Sequence, residues 1–120
     1  MIFNEMVEFM KSLGYEVFVE DCKSFLGATS KDKQDLWFGF CESNNGQSNP
    51  NLNGKIAIDR NDCFDKWSKC PINLPFPEND KQKQFLIDKI NWLKTDEGYK
   101  ASNEYEFEKW VADYPEEMRE

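Results

Sequence analysis

Twenty-three carboxylates, four cysteines and no histidine are the chemical resources of this 120-residue chain. The missing imidazole removes the commonest general base and the usual partner of a serine or cysteine nucleophile, which excludes conventional hydrolytic triads. The cysteines, Cys22, Cys41, Cys63 and Cys70, contain no CxxC pair. Structural zinc sites usually draw their ligands from closely spaced pairs, so this spacing points away from a metal centre. Cys22 and Cys41 fall in or beside apolar, strand-like segments and read as small buried hydrophobes. The fold is expected to stand without metal, cofactor or disulfide, one disulfide being open to it in an oxidising compartment.

Carboxylates become catalytic when a second acid or a cation is held beside them. A metal-dependent nuclease core of the PD-(D/E)xK type needs an acid on one strand and an acid-x-Lys on the next. Here Asp35 precedes the apolar run Leu36–Cys41 and Glu42 follows it, but Glu42-Ser43-Asn44 has no lysine in place. Asp32 and Asp59 supply carboxylates without a partner cation. Phosphate-cradling patterns of the GxxxxGK[ST] and GxGxxG kinds are also absent. The chain therefore reads as a protein without enzymatic activity. A sequence pI of about 4.6 disfavours nucleic acid as a direct partner, since affinity for phosphate backbones comes largely from Lys and Arg. Lys31, Lys33, Lys81, Lys83 and Lys89 all have acids nearby, and Trp37 and Phe40 lie in a run that reads as core rather than as a stacking platform.

The net charge of -8 is confined to the two ends. Residues 1–30 hold five acids against two bases and 104–120 hold seven against two, while 31–60 and 61–103 are each balanced. Such a field attracts cationic surfaces and repels nucleic acid and anionic membranes. The C-terminal segment sets Glu104, Glu106, Glu108, Asp113, Glu116 and Glu117 around Trp110, with Glu120 at the end. Acids at a helix N-terminus complement the helix dipole, which makes a solvated helix one reading of this run. Its functional reading is a docking surface, where rim charges speed encounter and an aromatic anchor supplies affinity. Size and charge together suggest a cytoplasmic inhibitor or neutraliser that masks the basic, nucleic-acid-handling surface of a nuclease or toxin. Immunity proteins and phage anti-defence proteins, including anti-CRISPR proteins, offer an analogy of charge and size alone. A structural or adaptor subunit that oligomerises through an apolar helix edge is the alternative.

The elements that must carry these residues follow from periodicity. Ile2, Phe3, Met6, Phe9, Met10 and Leu13 recur at helical spacing, and Gly14 suits a helix C-terminus. Tyr15–Glu20 alternates as a strand, residues 22–29 extend or turn it, and Leu36–Cys41 is apolar on both faces, as a central strand is. Residues 43–54, with five asparagines and no charge, read as a long flexible loop before a third strand at Lys55–Asp59. Asn61 or Asp62 is expected to cap a short helix holding Phe64 and Trp67. Three prolines in residues 71–77 mark a stiff connection, and Asn79 or Asp80 opens the longest helix, running to about Lys94. Phe85 and Trp92 widen that helix's apolar arc beyond what one sheet covers. A last helix, capped by Asn103 and Glu106, is expected to lay Phe107, Trp110, Val111 and Tyr114 across that edge, with residues 115–120 frayed. The sum is a single α+β domain over residues 1–120: an N-terminal helix, a small, three-stranded, mostly antiparallel sheet, and two to three C-terminal helices packed on it. No apolar run approaches the ~18 residues of a membrane span, and Met1–Leu13 lacks the basic start of a signal peptide.

Overall fold

The computed structural model describes residues 1–21, 25–31, 36–43, 53–60, 70–104 and 110–119. Its element order is α1 (Phe3–Ser12), five strands, then α2 (Asp80–Leu93), α3 (Asp96–Glu104) and a 3-10 turn at Glu116–Met118. The strands are β1 (Phe18–Asp21), β2 (Phe25–Lys31), β3 (Trp37–Ser43), β4 (Lys55–Asp59) and β5 (Ile72–Pro75). They form one antiparallel sheet in sequence order, β1-β2-β3-β4-β5. The α+β class, the leading helix and C-terminal helices are as expected, and among the described residues the sheet has five strands where three were expected.

Helix α1 buries Phe3, Met6, Val7 and Met10. Its N-terminal amides find two carboxylates: Ile2 N–H donates to Glu5 at 3.1 Å and Phe3 N–H to Glu42 at 2.7 Å. Glu42, weighed above as a catalytic acid, thus helps hold the helix to the sheet. Gly14 ends the helix with φ +96°, a conformation that costs glycine no Cβ clash. Strand β3 is the central strand, and its apolar run is buried on both faces at Leu36, Phe38, Phe40 and Cys41. Phe40 sits among the rings of Phe3, Phe38 and Phe76, at centroid distances of 5.2, 6.2 and 5.6 Å. Stacked, tilted and edge contacts of this kind add to simple area burial.

Four expectations need correction. The proline-rich stretch is β5, an outer strand; Pro71 precedes it and Pro75 ends it, so Ile72, Asn73 and Leu74 keep their N–H groups for pairing. Residues 96–104 form α3, so Asn103, expected to cap a last helix, lies within a helix instead. Thr95 starts it, accepting from Gly98 N–H at 3.2 Å, and Asp96 and Glu97 occupy its first turn. Gly98 permits the tight corner, because a Cβ there would lie 2.5 Å from Leu93 Cα and closer still to the Trp92 carbonyl oxygen. The expected helix around Trp110 and Tyr114 is not formed: Val111 bridges to Ile72 in parallel, with Val111 N–H to Pro71 O and Asn73 N–H to Val111 O both at 2.9 Å. An outer strand with unfilled hydrogen-bonding groups captures this segment, and Pro115 disfavours helical geometry at Tyr114. Finally, Cys70 is disulfide-bonded, where the fold was expected to stand without a disulfide. Cys41 is a buried thiol, as read. The short helix at Phe64 and Trp67 lies outside the described residues, as does most of loop 43–54.

Helix α2 matches its expected range, with Asn79 as N-cap accepting from Gln82 N–H at 2.8 Å. Gln82, Leu86, Ile90 and Leu93 form its buried face. The α2–α3 corner is fastened to the end of β4: Ser102 and the Arg60 N–H both donate to buried Asp59, and Arg60 Nη1 donates to Lys94 O at 3.1 Å. Among the described residues no helix is long and apolar enough to cross a membrane.

Candidate docking surface

The acidic C-terminal segment is positioned by one buried residue and one shared carbonyl. Tyr114 is buried, packs edge-on against Phe85 at 5.8 Å, and donates its hydroxyl to Pro75 O at 2.6 Å. Met118 O then accepts from Asn79 Nδ2 at 3.1 Å and from Gln82 Nε2 at 2.7 Å, which fixes the 3-10 turn on the first turn of α2. The Gln82 side chain closes the arrangement, its oxygen accepting from Glu78 N–H at 2.7 Å. Within the stretch expected to fray, Met118 is bonded to Asn79 and Gln82, and Arg119 Nε donates to Tyr114 O at 2.9 Å.

This anchoring brings together acids that are far apart in sequence. Asp113, Glu116 and Glu117 are exposed on the C-terminal segment. Glu78 and Asp80 flank Asn79, whose side chain holds Met118 O, so their exposed carboxylates join the same corner. Sequence reasoning missed these two, since only the tertiary contact places them there. Burial raises the pKa of the Tyr114 hydroxyl far above its ordinary value, and the charges of Asp113 and Glu78 raise it further. Both carboxylates thus act on one point. Three of these five acids meet a cation: Arg119 pairs with Asp113 at 3.1 Å, Lys83 approaches Asp80 at 3.9 Å, and the Met1 ammonium group meets Glu78 at 2.6 Å. Beyond Lys83, an open groove of about 530 Å³ at the α1–α2 seam adds Glu5 and Glu8 beside Phe9.

The remaining site residues of the sequence reading are placed less fully. Glu104 is the last residue of α3, and Glu106 and Glu108 lie outside the described residues. Trp110, expected as an aromatic anchor on a helix, is half-buried in the extended segment next to the Val111 bridge. Among the described residues no group of three or more acids or cysteines is arranged to hold a metal ion. Asp59 accepts from Ser102 and from Arg60 N–H, an arrangement that joins elements. No protein-family model, curated protein or solved structure matches the chain.

Proposed function

We propose that this is a non-enzymatic binding protein that masks a basic, nucleic-acid-handling surface of another protein by docking its acidic corner there. It would act in the manner of immunity proteins and phage anti-defence proteins, which it parallels in size and charge only. The observation that supports the reading is that Asp113, Glu116 and Glu117 lie on a segment that Tyr114 and Gln82 hold against the start of α2, beside Glu78 and Asp80. Charges held in place lose less conformational freedom on docking than charges on a loose tail. Their contribution falls mainly on the association rate. The alternative, oligomerisation through the Phe85 and Trp92 edge, is less well supported: Lys89 holds its ammonium group 5.2 and 5.9 Å from the two rings, and Tyr114 covers Phe85.

The test begins with co-purification from the native host and continues with binding kinetics against the basic protein recovered. Replacing Asp80 by Asn and Glu116 and Glu117 by Gln removes charge at nearly constant shape. The variant is expected to associate roughly tenfold more slowly at low salt, and the gap should narrow as salt screens the field. Equal rates at low salt would remove the acidic corner from the binding reaction.

A further inference from the structure

The far edge of the sheet supports a second, independent inference. Among the described residues β1 pairs only with β2, whereas β5 has Val111 along its outer side. An outer strand presents a row of backbone N–H and C=O groups on its free side. Natural proteins blunt such rows by keeping them short or with charge, proline or a bulge; Phe18–Asp21 (FVED) is short and has no proline, and its charges are all negative, so they repel an acidic strand but not a basic one. Phe18 is 62% exposed and Val19 is 51% exposed. Because successive strand residues point to opposite faces, apolar surface is shown on both faces of this edge. Glu16 and Glu20 are exposed as well, and residues 16–21 hold three acids and no base.

We propose that the free edge of β1 receives an extended basic segment of a partner protein as an added antiparallel strand. Charge selects the occupant. In a second copy of this chain the same stretch would bring acids against a strand equally acidic and lacking a base, and like charges opposed across strands are destabilising. A basic segment removes that conflict. Antiparallel pairing then dictates its pattern: read from its N-terminus opposite Asp21, Glu20, Val19, Phe18, Val17 and Glu16, the segment should run basic, basic, apolar, apolar, any residue, basic. Backbone pairing along an exposed edge with side-chain selection at alternate positions is a recurrent mode of peptide recognition. This surface does not involve the acidic corner, and its test separates the two.

The probe is the peptide Thr-Lys-Arg-Val-Val-Thr-Lys-Thr, titrated into the isotope-labelled full chain at low salt while backbone amide shifts and hydrogen exchange are followed. Shifts and new protection are expected to centre on Phe18–Asp21. Two variants with dispersed, wild-type-like spectra serve as controls. Glu16→Lys with Glu20→Lys should weaken binding about tenfold, from the reversal of two cross-strand pairs, while Glu116→Gln with Glu117→Gln should leave it unchanged. The same peptide N-methylated at alternate amides should fail to protect β1, because backbone donors are lost while charge is kept. The proposal is overturned by any of three results: no perturbation of β1 at millimolar peptide, equal binding of the N-methylated peptide, or β1 protection that grows with protein concentration in the absence of peptide. The last would identify a second copy as the occupant.

Discussion

Strands β5 and β1 are both outer strands of one sheet, yet the chain treats them differently. Against β5 it lays Val111 with two backbone hydrogen bonds, and then plants Tyr114 between Pro75 and Phe85. Against β1, among the described residues, it lays nothing, and it leaves Phe18 and Val19 more than half exposed. The prolines before and at the end of β5 leave a short row of donors there, and Val111 takes it up. Among the described residues the row along β1 is not taken up. Of the two edges, the one closed by the chain itself is the one that fixes a platform for the acids.

The strongest way to break this contrast is to remove the anchor. Tyr114→Ala deletes a buried ring and the hydroxyl bonded to Pro75 O, and should cost ~3–5 kcal/mol, a large part of the stability of a domain this size. Denaturant titration checks this. A midpoint close to wild type would mean that the C-terminal segment is not held by Tyr114 and that the two edges differ less than the structure indicates.

Removing only the hydroxyl sharpens the same point through pH. The folded-state pKa of Tyr114 is raised above the ordinary tyrosine value near 10, first by burial and then by Asp113 and Glu78. Between those two values the unfolded chain has released a proton that the folded chain keeps, so stability falls as pH rises. The contribution is complete below about pH 10 and declines above it. Tyr114→Phe should therefore be about 1 kcal/mol less stable than wild type at neutral pH, from the lost hydrogen bond. That deficit should shrink from pH 10 upward, with unfolding measured for both proteins across the range. Lysine titration is common to both and cancels in the difference.

How much of this was readable beforehand depends on whether local pattern and tertiary demand agreed. In α1, β3 and α2 they agreed: the stripe from Phe3 to Leu13, the run Leu36–Cys41 and the cap at Asn79 all lie where periodicity and capping chemistry put them. In α3 the apolar content is too low to register as a stripe. Its signal is Thr95 followed by Asp96 and Glu97, a cap and a charged first turn. At Trp110, Val111 and Tyr114 the helical spacing is real but is overridden by the hydrogen-bonding demand of β5 and by Pro115. The acids of the C-terminal segment were visible as charge. That Glu78 and Asp80 stand with them follows only from Met118 O meeting Asn79 and Gln82.

The smallest expected effect tests the open edge. Phe18→Ser with Val19→Thr removes the exposed apolar surface of β1 and keeps a residue of good strand propensity at position 19. Exposed substitutions away from buried contacts stay within about 0.5 kcal/mol, so thermal unfolding should scarcely move. Tyr114→Ala, at the opposite edge, should move it by many times as much. A double variant carrying changes at both edges should show additive effects, because well-separated sites without shared partners add within about 0.5 kcal/mol. A loss near 2 kcal/mol from the Phe18 and Val19 changes alone would show that these side chains are covered by chain beyond the described residues. The β1 edge would then be as closed as β5, and no added strand could use it.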